Sequence, residues 1–532
     1  MTEHNHQRHT PKAEDTDNTS RKKQASGSKF NGPKHNAGFS GRPVKKGKTD
    51  GWKVNHHGSG VGGKNAPAGT AVKTSHPKKN PEPSVEGLAS RRIALKVIRA
   101  VTEDGAYASL VLDQALRNSG LSSADRRLVT RLVYDTLDRL IYLDYMLSQV
   151  MAREDTDIKL RNILRLGACQ ILLEDRIPES AATNTSVALC TELGMSGLKG
   201  VCNGILRNIV RRKDEFVFPD PELEPDKAAA LRHSIPEWLW MEIRNDYGAS
   251  ADDVAGFRHR EDGWVLRPNL TRLTDDEFEA LLEKKVWQHE KTILPHAWRV
   301  RGAMDIGADA DFLAGNYSIQ TPGSMMACLA MDAKRGQTIL DCCAAPGGKS
   351  CYLAEIMGGT GRVQAWDLHE HRTALIAAQA RRLGLENIRP MTRDASKPRE
   401  DLAGTLDGVL LDAPCTGTGM MAEKPDIKLR VTMESLQELQ NLQALLLETV
   451  SEYVRPGGTL VYSTCSLLKK ENTEQVKRFL KAHPDFEAAG LPDTIPEAYR
   501  QHSGGEEEPG LQLLPCRDGT EGFYLCRMTR KA

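Results

Sequence analysis

Apolar positions begin abruptly: the first leucine or isoleucine of the chain is Leu88. From there they recur three and four residues apart. Ile93, Ala94, Val97, Ile98 and Val101 line one helix face, and Leu128, Val129, Leu132, Val133, Leu137 and Ile141 repeat the pattern within Asp125–Met146. Further helical stretches cover Ile158–Leu173, Ala182–Leu193 and Gly200–Arg212. Strand-like alternation is nearly absent, so residues 87–213 read as an all-α domain. The Pro- and acid-rich run Phe218-Pro-Asp-Pro-Glu-Leu-Glu-Pro225 marks a boundary. After it, a helical stretch at Pro236–Tyr247 and mixed pieces to Ala314 give a small α+β region over 214–317. From Ser318 the pattern alternates. Strands are expected at Gln337–Cys342, Arg362–Trp366, Gly408–Leu411 and Thr459–Ser463. Helices are expected at Lys349–Met357 and His369–Leu383 and along the Leu436–Val450 stripe, which Pro456-Gly457-Gly458 ends. Such alternation implies βαβ units and a parallel sheet covered on both faces, so residues 318–532 read as an α/β domain.

Composition adds a charge asymmetry. Residues 1–86 hold 16 Lys/Arg against 7 Asp/Glu, and Gly87–Ala532 holds 56 against 64. With no Leu or Ile, residues 1–86 cannot bury enough apolar surface to offset ordering entropy, and they read as a disordered basic tail. Such an arm either adds phosphate contacts or only keeps the chain soluble; composition does not separate the two. No apolar run reaches the roughly 18 residues a membrane helix needs, and the start has no signal-peptide core, so a cytoplasmic protein without membrane contact is expected. The 11 cysteines include no C-x-x-C pair, which fits reduced thiols and no metal site. Arg207, Arg211, Arg212 and Lys213 gather at the end of the helical region, where the helix dipole favours cations in any case.

Candidate chemistry lies in the α/β part. The first strand runs into Asp341-Cys-Cys-Ala-Ala-Pro-Gly-Gly-Lys-Ser350, small residues that let a ligand approach the backbone. Asp367 ends the next strand, where an acid binds ribose hydroxyls in doubly wound sheets, or caps the following helix. Gly348-Lys-Ser350 with Val409-Leu-Leu-Asp412 resembles a P-loop nucleotidase, except that Cys343 stands where the P-loop needs Gly. Two cysteines, in Asp412-Ala-Pro-Cys415 and in Thr464-Cys465-Ser466, follow two further strands. On neighbouring strands, roughly 4.8 Å apart, both reach the ligand-binding edge. Such a pair suits cytosine C5 methylation. One thiolate adds to C6 and makes C5 nucleophilic, a carboxyl such as Asp412 assists at N3, and loss of the C5 proton with elimination gives a second thiol or a base a role. The base must be unstacked to reach it.

Five motifs carry a resemblance: Cys343-Ala-Ala-Pro-Gly-Gly-Lys349, Asp367, Asp394, Asp412-Ala-Pro-Cys415 and Thr464-Cys465-Ser466. With them, residues 318–528 resemble the Sun (NSUN) family of RNA (cytosine-5)-methyltransferases. Ala124-Asp-Arg-Arg-Leu-Val-Thr-Arg-Leu-Val-Tyr and Asn203-Gly-Ile-Leu-Arg-Asn resemble a NusB-like RNA-binding domain. That pairing is similar to the bacterial enzymes acting on small-subunit ribosomal RNA. The resemblance implies a NusB-like domain, a small linker domain and a Rossmann-like S-adenosylmethionine-dependent domain. It implies RNA as partner, with 16S ribosomal RNA as the first expectation and transfer RNA as the alternative. A non-catalytic RNA-binding assembly factor is the rival outside enzymology. By position, the resemblance implies that Cys343, Ala344, Ala345, Pro346, Gly347, Gly348 and Lys349 hold S-adenosylmethionine. It gives Asp367 the ribose, Asp394 the adenine side, and Asp412 the methionine end or the target base. It makes Cys465 the nucleophile and Cys415 the release residue, with the reverse, a Pro-Cys nucleophile at Cys415 as in DNA cytosine-5 methyltransferases, as the lesser option. Thr321, Ala422-Glu423 and Glu521-Gly-Phe-Tyr524 depart from the family pattern.

Overall fold

The computed structural model describes residues 87–532 apart from 118, 154, 259–262, 303–304 and 506, so the basic tail lies outside the described residues. The helical region consists of α1 (Leu88–Asp104), α2 (Ala108–Arg117), α3 (Ser123–Asp138), α4 (Leu140–Ser148), α5 (Ile158–Leu173), α6 (Glu179–Glu192) and α7 (Lys199–Arg212). Local chemistry sets their ends. Gly105 closes α1 in the left-handed conformation, the Ser122 hydroxyl accepts from the Asp125 amide to start α3, and Asp157 caps α5. The faces predicted from periodicity turn inward, with Ala94, Val97, Ile98, Val129, Leu132 and Val133 in one core.

Two features of this region differ from the sequence pattern. The stretch read as one helical repeat over Asp125–Met146 is broken at Arg139, where φ −102° and ψ 16° leave the helix. Tertiary anchors hold the break: Asp138 pairs with Arg258, and Arg139 donates to the carbonyl of Arg232. Helix α2 was not expected; its buried residues are Ala108 and Leu112, too few for a visible stripe. The basic cluster ending α7 is largely engaged at home. Arg211 donates to Asn208, Arg212 to the carbonyl of Gln149, and Lys213 pairs with Glu179.

Next, β1 (Trp264–Pro268), β2 (Gln288–Lys291), β3 (Trp298–Arg301) and β4 (Tyr317–Ile319) form an antiparallel sheet in the order β2-β3-β1-β4. Helix Asp275–Lys284, started by a Thr274/Glu277 capping box, packs Phe278 against Trp298 and Tyr317 there.

The large sheet contains β5 (Thr338–Asp341), β6 (Arg362–Asp367), β7 (Ile388–Thr392), β8 (Leu406–Asp412), β9 (Val454–Thr464), β10 (Phe486–Ala488), β11 (Ser503–Gly504), β12 (Gly510–Leu513) and β13 (Phe523–Arg530). Its order is β11-β12-β13-β9-β8-β5-β6-β7, with β10 also on β13. Strands β7, β6, β5, β8 and β9 are parallel and β13 is antiparallel to β9. This is a Rossmann-like sheet whose order reverses at β5/β8. Pro456-Gly457-Gly458 does not end the preceding helix, which stops at Ser451. Val454 already pairs with Leu406 and Thr459 with Gly408, so residues 455–458 bulge out of the ladder instead. Among the described residues no helix is long and apolar enough to cross a membrane.

Candidate active site at the carboxyl edge of the sheet

The parallel register brings every candidate to one edge. Asp341 is opposite Ala365 on β6 and Leu410 on β8, Asp367 is opposite Thr392, and Asp412 is opposite Ser463. Past Asp341 the chain leaves β5 by bonding to both neighbours: the Cys342 amide donates to Leu410 O at 3.0 Å and the Ala344 amide to Trp366 O at 2.8 Å. The Ala345–Pro346 bond is cis, and Gly347 has φ +110°, where a side chain would also press on the Ile376 backbone at 3.1 Å. Helix Gly348–Ile356 starts there. A methyl group on Gly348 would meet nothing within 4 Å, so the space before the loop is open.

Three acids end or follow strands at this edge: Asp341 on β5, Asp367 on β6 and Asp394 just after β7. Asp367, 3% exposed, accepts from the amides of Ala345 and His369 at 3.3 Å each and lies 3.5 Å from Arg372. It therefore links the loop to the next helix, whose N-cap is His369. Asp394 accepts from both the amide and the hydroxyl of Ser396, at 3.0 and 2.5 Å. Asp341 is fully buried; Ser350 donates to one oxygen at 2.6 Å and the other has no partner among the described residues. Burial pushes its carboxyl up to about 7.

The thiols lie on the other side of the switch point. Cys415 Sγ and Cys465 Sγ are 3.3 Å apart. Cys415 is held well above the usual thiol range by the hydrogen bond it shares with Cys465 and by burial. The same bond holds Cys465 below that range, against burial. Beside them Lys349 Nζ donates to Asp412 Oδ2 at 2.7 Å and Ser463 Oγ donates to Oδ1 at 2.8 Å. Burial pulls the Lys349 amine down, but Asp412 prevails and raises it. Lys349 thus ties the glycine loop to the thiol side, a use unlike the phosphate grip of a P-loop lysine. The Cys343 thiol, in the loop itself, is pushed up by burial.

Sequence reasoning missed the layer behind the thiols: Thr416, Ser466, Gln443 and Glu471 form one buried hydrogen-bonded cluster. Its members come from three separated segments, so no spacing signals them. Two departures from the family pattern meet at another point. Thr321 precedes helix Pro322–Ala330, and Glu521 accepts from the Gly323 amide in that helix's first turn at 2.9 Å.

The helical region packs on the segment that follows the Cys415 loop, at residues 426–428. Lys428, 2% exposed in the segment after the Cys415 loop, pairs with Asp138 of α3 at 2.5 Å, and Arg258 pairs with the same carboxylate at 2.9 Å. Asp138→Ala would leave Lys428 buried without a counter-charge. A loss of about 3–5 kcal/mol in unfolding free energy is expected, read by denaturant melts; a change under about 1 kcal/mol would refute it.

Comparison with known proteins extends over both regions. Residues 88–211 match the NusB family, and residues 328–529 match the family described as 16S rRNA methyltransferase RsmB/F. The chain is 34% identical to the probable ribosomal RNA small subunit methyltransferase B of Bacillus subtilis, covering 83% of this chain and 98% of that one. It is 29% identical to the Escherichia coli O1:K1 protein named ribosomal RNA small subunit methyltransferase B, again over 83% and 98%. The crystal structure of PH0851, 25% identical, aligns with a TM-score of 0.72 over 85% of this chain and 100% of the other. A methyltransferase homologue from Pyrococcus horikoshii, 27% identical, aligns with 0.51 over 58% and 99%. On these matches the chain belongs to the RsmB/F family of 16S rRNA methyltransferases.

Proposed function

We propose that this chain methylates C5 of a cytosine in small-subunit ribosomal RNA, from S-adenosylmethionine, through a transient bond between Cys465 and C6 of the base. The observation that carries this reading is the thiol pair. Two sulfurs 3.3 Å apart, beside an Asp–Lys pair that reaches the glycine loop, suit a reaction needing one nucleophile and one release group.

The crevice fits the cofactor. The loop offers only small side chains from Ala344 to Gly348, has open space before Gly348, and is bonded to Asp367 through the Ala345 amide, with Asp394 following the next strand. These residues would hold the nucleoside end, and Asp412 would face the methionine end or the base. When bound, S-adenosylmethionine supplies a methyl group on a positively charged sulfur. The chain's own groups do the rest. Cys465 as thiolate would add to C6, and the electron pair displaced onto C5 would take the methyl group as its bond to the sulfonium sulfur breaks and a neutral thioether leaves. The C5 proton would then pass to solvent, and its electron pair would restore the C5–C6 double bond and expel Cys465 as thiolate. Cys415, hydrogen-bonded to Cys465, is the group placed to assist that expulsion. Asp412, already accepting from Lys349 and Ser463, suits the polar edge of the base.

We assign residues 87–213 to RNA binding, 214–317 to a linker and 318–532 to catalysis, with the enzyme acting in the cytoplasm where its RNA is. Full-chain protein with labelled S-adenosylmethionine and unmodified small-subunit RNA should yield 5-methylcytidine, located by bisulfite sequencing. Label entering only transfer RNA would overturn the substrate, and no transfer to any cytidine would overturn the activity.

A further inference from the structure

Behind the two thiols a carboxylate reaches both loops without touching either sulfur. Glu471 is fully buried. Its Oε1 accepts from the Thr416 amide and from Gln443 Nε2, both at 2.9 Å. Its Oε2 accepts from the Thr416 hydroxyl at 2.5 Å and from the Ser466 hydroxyl at 2.6 Å. Thr416 follows Cys415 and Ser466 follows Cys465, so one side chain grips the residue after each thiol. Gln443 completes the grip by donating to the carbonyl of Pro414, just before Cys415, at 2.8 Å. Glu471 is itself fixed, since Tyr462 on β9 donates to its carbonyl at 2.6 Å.

Burying a carboxylate costs several kcal/mol unless it is well satisfied, and an apolar side chain would fill this space without that cost. Four donors satisfy it, and all belong to the segments bearing or supporting the thiols. We propose that Glu471 is a positioning residue for both cysteines: it sets their loops in register, and its charge, held by two hydrogen bonds from Thr416 beside Cys415 against one from Ser466 beside Cys465, keeps the proton between the sulfurs on Cys415 and leaves Cys465 the nucleophile. This rests on the cytosine-methylation reading above. The surrounding charges agree. Glu471 and Asp412 both disfavour a thiolate at Cys415. At Cys465, Asp412 does the same but Lys349 and Lys424 oppose it. Gln in place of Glu471 keeps the shape, and the Thr416 and Ser466 hydroxyls can turn to accept from its amide, so the charge is what that variant removes.

Alkylation tests this without RNA or cofactor, so its outcome is independent of the substrate assignment. The full chain is treated with iodoacetamide from pH 6 to 10, and each cysteine peptide is quantified by mass spectrometry. In the wild type, Cys465 should react ahead of Cys415. In Glu471→Gln the Cys465:Cys415 rate ratio should fall at least fivefold, and the alkylation midpoint of Cys465 should move to higher pH. The turnover number for methyl transfer should drop at least tenfold, with KM for S-adenosylmethionine within twofold. A ratio and pH profile equal to wild type would overturn the proposal. If buried Cys169 and Cys526 also become reactive, the variant has unfolded, and Ser466→Ala, which removes one arm only, carries the test. There an unchanged ratio overturns the proposal, and a threefold fall with Cys169 still protected supports it.

Discussion

Serine at position 465 should leave S-adenosylmethionine binding in place and lower methyl transfer by roughly 10⁴-fold or more. A hydroxyl fits where the thiol was, so the loops need not move. What is lost is a thiol, a far stronger acid and better nucleophile than an alcohol. The hydrogen bond with Cys415 holds Cys465 below the usual thiol range, against its own burial. A serine hydroxyl with the same neighbour stays protonated and adds poorly to C6. Single-turnover transfer of labelled methyl measures the loss, and a cofactor-induced rise in melting temperature checks that binding survives. Transfer within tenfold of wild type would place the nucleophile elsewhere.

Cys415→Ser should give the opposite phenotype. The adduct forms, because Cys465 is intact, but its release is slowed. A protein–RNA species that survives denaturation should accumulate, roughly tenfold or more above wild type, and only when S-adenosylmethionine is present. Its appearance on denaturing gels is the measurement, and the double variant lacking both thiols should show none. The expectation follows from position: the second sulfur is 3.3 Å from the first and fixed by hydrogen bonds on either side, at Pro414 and Thr416. If Cys465→Ser trapped RNA and Cys415→Ser did not, the two roles would be reversed.

Parts of the fold were legible because burial writes itself into the chain. Strands β5, β6 and β8 are covered on both faces and read as apolar runs, so their sequence limits fall within about two residues of the observed ones. Edge elements were not legible. Strand β7 buries one residue of five and β2 is almost wholly exposed, so neither carries a pattern. The Pro456-Gly457-Gly458 bulge looked like a helix terminator because those residues serve both purposes, and only the pairing of Val454 with Leu406 distinguishes them. Lys349 was legible as part of the glycine loop but not as the partner of Asp412, which lies 63 positions away.

Local spacing alone determined that small residues follow β5, that acids end β6 and β8, and that a cysteine follows each of β8 and β9, because those relations run along the chain. Whether the two cysteines meet was decided by the parallel register that sets Asp412 opposite Ser463. The direction in which each thiol is shifted depends first on the hydrogen bond between them and on burial, and then on charges from Asp412 on β8, from Lys349 and Lys424 and from buried Glu471. Electrostatic energy falls with distance through space and takes no account of separation in sequence, so no reading of residue order could supply it.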